Sequence, residues 1–251
     1  MSTYVMSDIH GHKKLFDKML NKIHFNENDT LYILGDCIDR GPEGIKTLLK
    51  VMRTRNIKML MGNHEFMMLE TLTDPDAAFK ESEAIWFRNG GQITLNSFNK
   101  YSENTKKRII NYIKKLPYDF DITVNGRNYI LCHASPMPDR FKINPMETHY
   151  YGTRYDTYEE FAVWNRDFLF IKDENFKDKT VIFGHTPVQM LNIGDSKNPQ
   201  MVRYKNSIDI DCGCACIGIT HTPAKLACLR LDDMKAFYVS PEDTKEDDKN
   251  A

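Results

Sequence analysis

The sequence predicts an α/β fold, and three observations support this prediction. Short apolar runs end in polar, glycine-containing loops, and the first of these loops lead into helix-like stretches. From Tyr118 onward the pattern turns to strands, which indicates a second sheet. The chain has 251 residues, a length that a single α/β domain commonly reaches. We therefore expect one domain over residues 1–240.

The first part of the chain alternates strands with helices. Residues 4–6 and 30–34 are apolar runs that predict the first two strands. Each leads through a polar loop to apolar residues at helical spacing, which are Leu15, Phe16, Met19, Leu20 and Ile23 after the first strand and Ile45, Leu48, Leu49 and Met52 after the second. Residues 58–61 predict a third strand, which ends at Gly62-Asn63-His64-Glu65. The sequence thus predicts three strands that open into polar loops.

The second part of the chain carries a helical segment and then more strands. Residues 73–115 read as helical, with breaks at Pro75 and at Gly90-Gly91, and we expect them to form a helical cap over the functional site. Asn125-Gly126 predicts a tight turn between strands at 120–124 and 129–132. Further strands are predicted at 180–183, 207–210, 226–231 and 236–239. Residues 241–251 are charged, and we expect a disordered tail there.

Composition and charge exclude several classes of protein. The chain is 41% hydrophobic and 27% charged, which excludes fibrous and wholly disordered proteins. Lysine and arginine total 34 against 35 aspartate and glutamate residues, so no strong overall field draws the protein to nucleic acid or to an anionic membrane. No run approaches the ~18 apolar residues of a membrane helix, and no basic region followed by an apolar stretch opens the sequence. We therefore expect a cytoplasmic protein that binds neither nucleic acid nor membranes.

Four of the six cysteines are bunched late in the chain, at Cys212, Cys214, Cys216 and Cys228. In so long a chain they do not resemble the disulfide framework of a small secreted domain, so we expect reduced thiols. Cys212, Cys214 and Cys216 alternate with small residues and could form a metal site or a redox switch, but they lack the paired spacing of zinc ribbons. We interpret them as small thiols that pack in a tight loop.

Polar side chains that bind metals follow five of the predicted strands. They are Asp8 and His10, Asp36, Asn63 and His64, His133, and His185. Ligands in open α/β sheets bind outside the carboxyl ends of the strands, so these loops can converge on one site. Carboxylate, carboxamide and imidazole groups without thiolate suit manganese, iron or zinc, and seven groups are too many for one tetrahedral ion. The sequence therefore predicts a site for divalent metal ions.

The motifs in these loops resemble a known enzyme family. Asp8-x-His10 is followed by Gly35-Asp36-x-x-Asp39-Arg40-Gly41, by Gly62-Asn63-His64-Glu65, and by His133 and Gly184-His185. This block spans roughly residues 8–185 and resembles the calcineurin-like metallophosphoesterases and, within them, the phosphoprotein phosphatases of the bacterial and phage Ser/Thr type. The resemblance implies two mixed β-sheets that pack as a central sandwich flanked by helices.

The resemblance also implies a pair of metal ions. The implied ligands are Asp8, His10 and Asp36 for the first ion and Asp36, Asn63, His133 and His185 for the second, with Asp36 as the bridge. Two such ions can share a hydroxide that attacks phosphorus in line. On ligand type we expect manganese, with iron and zinc as alternatives.

The remaining motif residues are implied to handle the phosphate and the leaving group. Arg40 carries a planar, permanently charged guanidinium that can bind two phosphate oxygens, and the resemblance gives it that role. The resemblance also pairs Asp39 with His64, which makes His64 the candidate general acid for the leaving alkoxide. Trp164-Asn165-Arg166 is similar to a short stretch that supplies another phosphate-binding arginine in bacterial and phage members, so Arg166 is the second candidate.

Three functions remain open on the sequence alone. The first is a dinuclear-metal phosphomonoesterase of the Ser/Thr phosphoprotein phosphatase type, acting on a phosphorylated protein or a small phosphoester. The second is a symmetrical dinucleoside tetraphosphate hydrolase, because those enzymes resemble this sequence through the same loops. Asp39 and Glu65 favour the first, since the position of Asp39 is usually not a carboxylate in those hydrolases. The third is an inactive binding scaffold, which the full ligand set disfavours.

Neither the substrate nor the oligomeric state follows from these motifs. Contacts to the leaving group are expected from residues 73–115 and 140–173, and no motif in these segments indicates a particular substrate.

Overall fold

The strands form two mixed five-stranded sheets in the computed structural model, which describes residues 1–78, 80–137, 155–166, 176, 178–191, 193 and 195–245. In chain order the strands are β1 (Thr3–Met6), β2 (Thr30–Ile33), β3 (Ile57–Met59), β4 (Asp119–Val124), β5 (Arg127–Cys132), β6 (Lys179–Phe183), β7 (Val202–Tyr204), β8 (Ser207–Asp209), β9 (Leu226–Arg230) and β10 (Lys235–Val239). The first sheet has the order β10-β9-β1-β2-β3 and the second the order β4-β5-β6-β8-β7. Strands β1, β2 and β3 are parallel, as are β5, β6 and β8, and the other pairings are antiparallel.

The helices follow the strands closely in the first part of the chain. They are α1 (Lys13–Lys22), α2 (Gly44–Arg53), α3 (Asn63–Thr73), α4 (Ser82–Arg88), α5 (Gln92–Phe98), α6 (Glu103–Ile113), α7 (Tyr158–Trp164) and α8 (Pro241–Lys245). Phe16 of α1 and Leu48 of α2 are fully buried in the cluster that also contains Met6 and Ile33 of the first sheet. The helical spacing of apolar residues therefore places the buried faces of α1 and α2 on this sheet. Among the described helices, none has the length and apolar character needed to span a membrane.

The two sheets pack face to face. Val5 and Tyr32 of the first sheet share one buried cluster with Leu131 and Ile182 of the second. Tyr4, the neighbour of Val5, lies in the separate cluster that contains the buried faces of α1 and α2, because successive side chains of a strand point to opposite faces. The prediction of two mixed sheets packed as a central sandwich and flanked by helices is confirmed.

The carboxyl ends of the parallel strands meet at one edge of this sandwich. Nδ1 of His133, which follows β5, lies 2.8 Å from the backbone oxygen of Leu34, which follows β2. The backbone N–H of His185, which follows β6, donates a hydrogen bond of 3.0 Å to Asp8, which follows β1. Loops from both sheets are therefore joined at this edge, and the polar motif residues lie in these loops.

The hairpin between β4 and β5 turns at Asn125 and Gly126, as the sequence predicts. Their φ angles are 49° and 74°, both in the left-handed region that a two-residue hairpin turn requires. Asparagine and glycine are the residues that tolerate this region best. The prediction of this hairpin is confirmed.

The structure corrects the sequence prediction at residues 241–245, which form helix α8 where we predicted a disordered tail. The backbone N–H and the hydroxyl group of Ser240 both donate to Oδ2 of Asp243, at 2.6 and 2.9 Å. These hydrogen bonds stabilise the first turn of the helix, and the charge pattern alone did not reveal them. The rest of the predicted tail, residues 246–251, lies outside the described residues.

Candidate active site

The side chains predicted to bind metals lie together at the shared strand edge. The structure buries Asp8, His10, Asp36, Asn63, His133 and His185, and none exposes more than 5% of its surface. They come from loops of both sheets, as expected for ligands at the carboxyl ends of parallel strands. Their role as metal ligands remains a prediction.

Asp36 occupies the centre of this cluster. Its Oδ2 atom lies 3.5 Å from Nε2 of His10 and 3.6 Å from Nε2 of His133. Its other oxygen, Oδ1, accepts a hydrogen bond of 3.0 Å from the backbone N–H of His64. One oxygen is therefore held by a backbone hydrogen bond, and the other lies near two imidazoles, where it could contact two cations.

Asn63, His133 and His185 form a second group beside Asp36. Oδ1 of Asn63 lies 3.0 Å from Nε2 of His133 and 2.9 Å from Nδ1 of His185. Among the described residues, two sets of side chains place donor atoms within 4.8 Å of one another, and they are His10, Asp36 and His64, and Asp36, His133 and His185. Asp36 belongs to both sets, so the geometry fits two neighbouring cations that share this carboxylate.

Burial sets the protonation of the site histidines. It lowers the pKa of His10 to about 4, and it is also the largest cause of the lowered pKa of His133 and of His185. The three imidazoles are therefore neutral near pH 7, and the neutral imidazole is the form that binds metals.

Backbone carbonyl groups orient two of these rings. Nδ1 of His10 lies 3.2 Å from the carbonyl oxygen of Ile38, and Nδ1 of His133 lies 2.8 Å from that of Leu34. A neutral imidazole satisfies such a carbonyl by donating its Nδ1 proton, which leaves the lone pair on Nε2. Both Nε2 atoms then present lone pairs toward Asp36.

The two buried carboxylates of the cluster repel each other. Burial and the charge of Asp8 raise the pKa of Asp36 well above its usual range. Oδ2 of Asp8 accepts hydrogen bonds from the Ser7 hydroxyl group and from the backbone N–H of His185, and Oδ1 lies 3.8 Å from Nε2 of His10. Divalent cations would relieve this repulsion. Both the negative charge of the site and its donor atoms therefore suit divalent cations.

Left-handed backbone turns aim several side chains into the site. The residues concerned are Asp8, His10, Asp36, Asp39, Arg40 and His185, with φ angles between 46° and 70°. This conformation costs a non-glycine residue roughly 1–2 kcal/mol. Close packing also constrains the loops, since a Cβ atom on Gly62 would lie 2.2 Å from Oδ1 of Asp36. The fold therefore supports a strained loop geometry where these side chains converge.

Glu65 ties the loop of Asp36 to helix α3. This side chain is fully buried. Oε1 accepts hydrogen bonds from the backbone N–H groups of Cys37 and Ile38 at 2.9 and 3.3 Å, and Oε2 accepts from those of Asp36 and Gly62 at 2.8 and 3.3 Å. Burial and the charge of Asp36 raise the pKa of Glu65 to about 8, and the four backbone donors oppose this shift because they favour the ionised carboxylate, which has lone pairs for all of them. We infer that Glu65 positions the loop that carries Asp36.

Replacing Glu65 with Gln is expected to lower the free energy of unfolding of the metal-free protein by about 1–3 kcal/mol. The amide nitrogen replaces one acceptor oxygen and faces backbone N–H donors, so buried donors lose their partners. Urea denaturation measures the effect. Glu70→Gln is the control, because Glu70 lies on the same helix, is only partly buried and is expected to change stability by no more than ~0.5 kcal/mol. Wild-type stability of Glu65→Gln would contradict the positioning role.

Asp39 and His64 form a buried pair next to the cluster. Oδ2 of Asp39 lies 2.6 Å from Nδ1 of His64. Nε2 of His64 lies 3.9 Å from Oδ2 of Asp36 and 3.4 Å from Nη2 of Arg40. Burial and the charge of Arg40 lower the pKa of His64. Because Nη2 of Arg40 lies so close to Nε2 of His64, a phosphate bound by Arg40 would also lie next to Nε2 of His64.

Trp86 supports this pair from the helical segment after α3. Its side chain is fully buried, and the indole N–H donates a hydrogen bond of 2.7 Å to Oδ2 of Asp39. The backbone N–H of Asp39 donates to the hydroxyl group of Thr94 at 2.9 Å. The sequence predicted a cap here but no individual residue in it. The sequence signal for this contact was the glycine at position 91. The structure explains it, because a Cβ atom there would lie 2.3 Å from Nε1 of Trp86.

The turn between α4 and α5 also holds Arg40. The backbone N–H of Arg40 donates to the carbonyl group of Gly90 at 3.3 Å, and its Nε donates to that of Asn89 at 3.4 Å. These contacts leave Nη2 of Arg40 at 3.4 Å from Nε2 of His64. The helical segment thus positions both Asp39 and Arg40.

Trp86→Phe is expected to lower kcat/KM for a phosphoserine peptide by roughly tenfold or more, because a hydrogen bond to a charged group contributes about 1.5–3 kcal/mol. Phenylalanine keeps a buried ring but removes the N–H that reaches Asp39. The fall should be smaller for p-nitrophenyl phosphate, whose leaving group needs less protonation. Steady-state kinetics on both substrates measures the difference. Phe87→Leu is the control, and equal losses on both substrates in Trp86→Phe would contradict a role through Asp39.

Arg166 lies beside the loop of His185. Its Nη1 donates to the carbonyl group of His185 at 3.4 Å and to the hydroxyl group of Thr186 at 3.3 Å. The charge of Arg166 contributes to the lowered pKa of both His64 and His185, which places it within electrostatic range of the site. Its role in binding phosphate remains a prediction.

Two buried aspartates near the site were not predicted. Asp209 and Asp211 expose 0% and 2% of their surface. Burial is the largest cause of the raised pKa of each, and the charge of Asp8 contributes to both. Oδ1 of Asp211 accepts a hydrogen bond of 2.8 Å from the backbone N–H of Gly213. An Asp-x-Asp pair at the end of a predicted strand was the only sequence signal for them.

The late cysteines pack as the sequence interpretation expects. Cys212 and Cys214 are buried and Cys216 is half-buried. Burial raises the pKa of all three thiols, so they are protonated near pH 7. Within the part of the chain that the structure describes, the groups that could hold a metal ion contain no cysteine.

Comparisons with known proteins identify the family of the chain. The model of the calcineurin-like phosphoesterase family matches residues 1–215. Serine/threonine-protein phosphatase 2 of Salmonella typhimurium is 28% identical over 222 residues, which are 86% of this chain and 88% of that protein. The symmetrical bis(5'-nucleosyl)-tetraphosphatase of Wigglesworthia glossinidia brevipalpis is 45% identical over 71 residues, which are 28% of this chain and 26% of that protein. The names of these relatives leave the specific activity open.

A solved structure shares the fold. The crystal structure of a metallophosphoesterase from Sphaerobacter thermophilus superposes with a TM-score of 0.52 at 15% identity, covering 100% of this chain and 94% of that one. Because the family model matches most of the chain, the protein belongs to the calcineurin-like phosphoesterase family.

Proposed function

We propose that the protein is a Ser/Thr phosphoprotein phosphatase that hydrolyses phosphate monoesters. The observation that carries this proposal is the buried Asp39–His64 pair, joined at 2.6 Å, with Arg40 within 3.4 Å of the other ring nitrogen. Such a pair can protonate a leaving group next to a bound phosphate. A serine alkoxide needs this protonation far more than a phosphate leaving group does, because the alkoxide is the much stronger base.

The donor atoms of the cluster fit two divalent metal ions. We propose Asp8, His10 and Asp36 as ligands of one ion and Asp36, Asn63, His133 and His185 as ligands of the other. When bound, such ions activate water as a nucleophile and neutralise negative charge on the phosphate. Manganese is the proposed metal, because the set offers carboxylate, carboxamide and imidazole donors but no thiolate.

The remaining side chains bind the phosphate and move one proton. Arg40 and Arg166 bind phosphate oxygens, and Arg40 places the ester next to Nε2 of His64. Burial and the guanidinium charge of Arg40 lower the pKa of His64, and the negative charge of the bound phosphate offsets the second of these causes, which favours a proton on Nε2. As the bond between phosphorus and the serine oxygen breaks, this proton passes to that oxygen. Asp39 keeps the proton on Nδ1 of His64 and so holds the ring in place.

A symmetrical dinucleoside tetraphosphate hydrolase is the second candidate. The relative with that activity in its name, 45% identical over 71 residues, favours it. Its leaving group would be a nucleoside diphosphate, a weak base that gains little from a general acid. The buried Asp39–His64 pair therefore favours the phosphomonoesterase.

A substrate panel with added Mn²⁺ tests the proposal. We expect higher kcat/KM for phosphoserine and phosphothreonine peptides than for diadenosine tetraphosphate, with p-nitrophenyl phosphate as the reference substrate. Phosphate release reports on the peptides, and chromatography of ADP reports on the dinucleotide. Faster release of ADP than of phosphate from any peptide would overturn the proposal in favour of the second candidate.

A further inference from the structure

A cleft adjoins the candidate active site at Arg40. Its volume is about 560 Å³, within the usual range of ligand-binding clefts. Residues of the turn between α4 and α5 line one part of it, and Ala215, Cys216, Ile219 and Thr220 line another. Arg40 is itself a lining residue, so a substrate whose phosphate binds Arg40 can extend into the cleft.

Arg88 gives this cleft a second positive charge. It is an exposed residue in the last turn of α4. Across the described ranges no carboxylate forms an ion pair with Arg88, whereas the guanidinium of Arg40 already contacts Asn89 and His64. Arg88 is therefore available to a negatively charged group that lies beyond the phosphate.

The other lining residues suit a peptide. Ile93 and Ile219 expose 37% and 63% of their surface and supply aliphatic contact. Gln92 and Thr220 add an amide and a hydroxyl group that can bond a peptide backbone. A nucleobase is instead bound by stacking on aromatic side chains, and the described lining residues include none.

We propose that this cleft binds the peptide segment next to the phosphorylated residue, and that Arg88 selects an acidic side chain there. The proposal rests on the proposed function and names its substrate class, which is acidic phosphopeptides. An extended peptide advances by roughly 3.3–3.6 Å per residue, so a scan of the residues beside the phosphoserine locates the position that Arg88 selects.

Three sets of phosphoserine peptides test this, with Asp, Ala or Lys scanned over the positions on each side of the phosphoserine. We expect the wild type to prefer Asp over Lys by roughly tenfold in kcat/KM at one position or more, and Arg88→Glu to reverse this preference. Arg108→Glu is the matched control, since Arg108 is an exposed arginine of α6 outside the cleft, and it should keep the wild-type preference. Metal content and circular dichroism verify that the variants fold.

The possible failures are distinguishable. If wild type and Arg88→Glu hydrolyse all peptides with the same order of preference, the cleft proposal is overturned while the proposed function stands. A reversal that appears equally in Arg108→Glu would also overturn it, because the cause would be overall charge. If no peptide is hydrolysed but diadenosine tetraphosphate is, both the proposed function and this proposal fail.

Discussion

Asp36→Asn is expected to weaken metal binding by more than roughly a hundredfold and to abolish turnover of p-nitrophenyl phosphate. Loss of an outer partner of a metal ligand alone costs about 10–100-fold in affinity, and Asp36 is proposed to contact both ions directly. The substitution removes the negative charge at the centre of the cluster, where Oδ2 lies 3.5 and 3.6 Å from two imidazoles. Metal analysis after equilibrium dialysis measures the loss of binding independently of activity.

The same variant should keep its fold. Burial and the charge of Asp8 raise the pKa of Asp36, so the charged form is disfavoured in the metal-free protein and a neutral isostere relieves that repulsion. We therefore expect the free energy of unfolding of metal-free Asp36→Asn to equal or exceed that of the wild type. Asp121→Asn is the control, because it removes an exposed carboxylate paired with Lys179. Wild-type metal content and turnover in Asp36→Asn would rule out the two-metal assignment.

His64→Asn is expected to separate substrates by the basicity of their leaving groups. General acid catalysis contributes about 100- to 10,000-fold, and we expect a loss in this range for a phosphoserine peptide. The loss should be much smaller for p-nitrophenyl phosphate, since nitrophenolate leaves without full protonation. Steady-state kinetics on a series of alkyl and aryl phosphates measures the dependence on leaving-group pKa.

Metal content distinguishes this role from that of a ligand. His64 belongs to the same group of possible ligands as His10 and Asp36, and its Nε2 lies 3.9 Å from Oδ2 of Asp36, so both roles are geometrically accessible. As a general acid, His64 can be replaced without loss of bound metal. His24→Asn is the control, because His24 is exposed and already has a left-handed backbone that asparagine tolerates. Equal losses on all leaving groups, together with loss of metal from His64→Asn, would assign His64 to the metal site.

The strands and their loops could be predicted because their signals are local. Each apolar run is short, and the polar residue that matters follows within a few positions, as Asp8 follows β1 and Asp36 follows β2. Parallel strands then bring the loops together without further information from the sequence. The sequence could not predict which ring nitrogen of each histidine carries the proton. That choice depends on contacts with distant carbonyl groups, such as that of Leu34, which is 99 residues from His133.

The support of the site from the helical segment could not be predicted for the same reason. Trp86 lies 47 residues from Asp39 and Thr94 lies 55 residues from it. A buried tryptophan on a helix is usually explained by packing alone, and nothing in the neighbouring sequence indicates that its N–H reaches a carboxylate. Helix α8 was missed because capping by Ser240 and Asp243 is hidden in a segment whose overall charge is typical of disorder.

The left-handed turns described above set a trade-off between durability and activity. Glycine would relax the backbone at His10 or His185, whose φ angles are 46° and 70°, at the cost of the imidazole that the site needs. Selection for a more heat-resistant protein would therefore favour changes that damage the enzyme at these positions. The active enzyme keeps the free-energy cost of these backbone conformations, which an inactive descendant could lose.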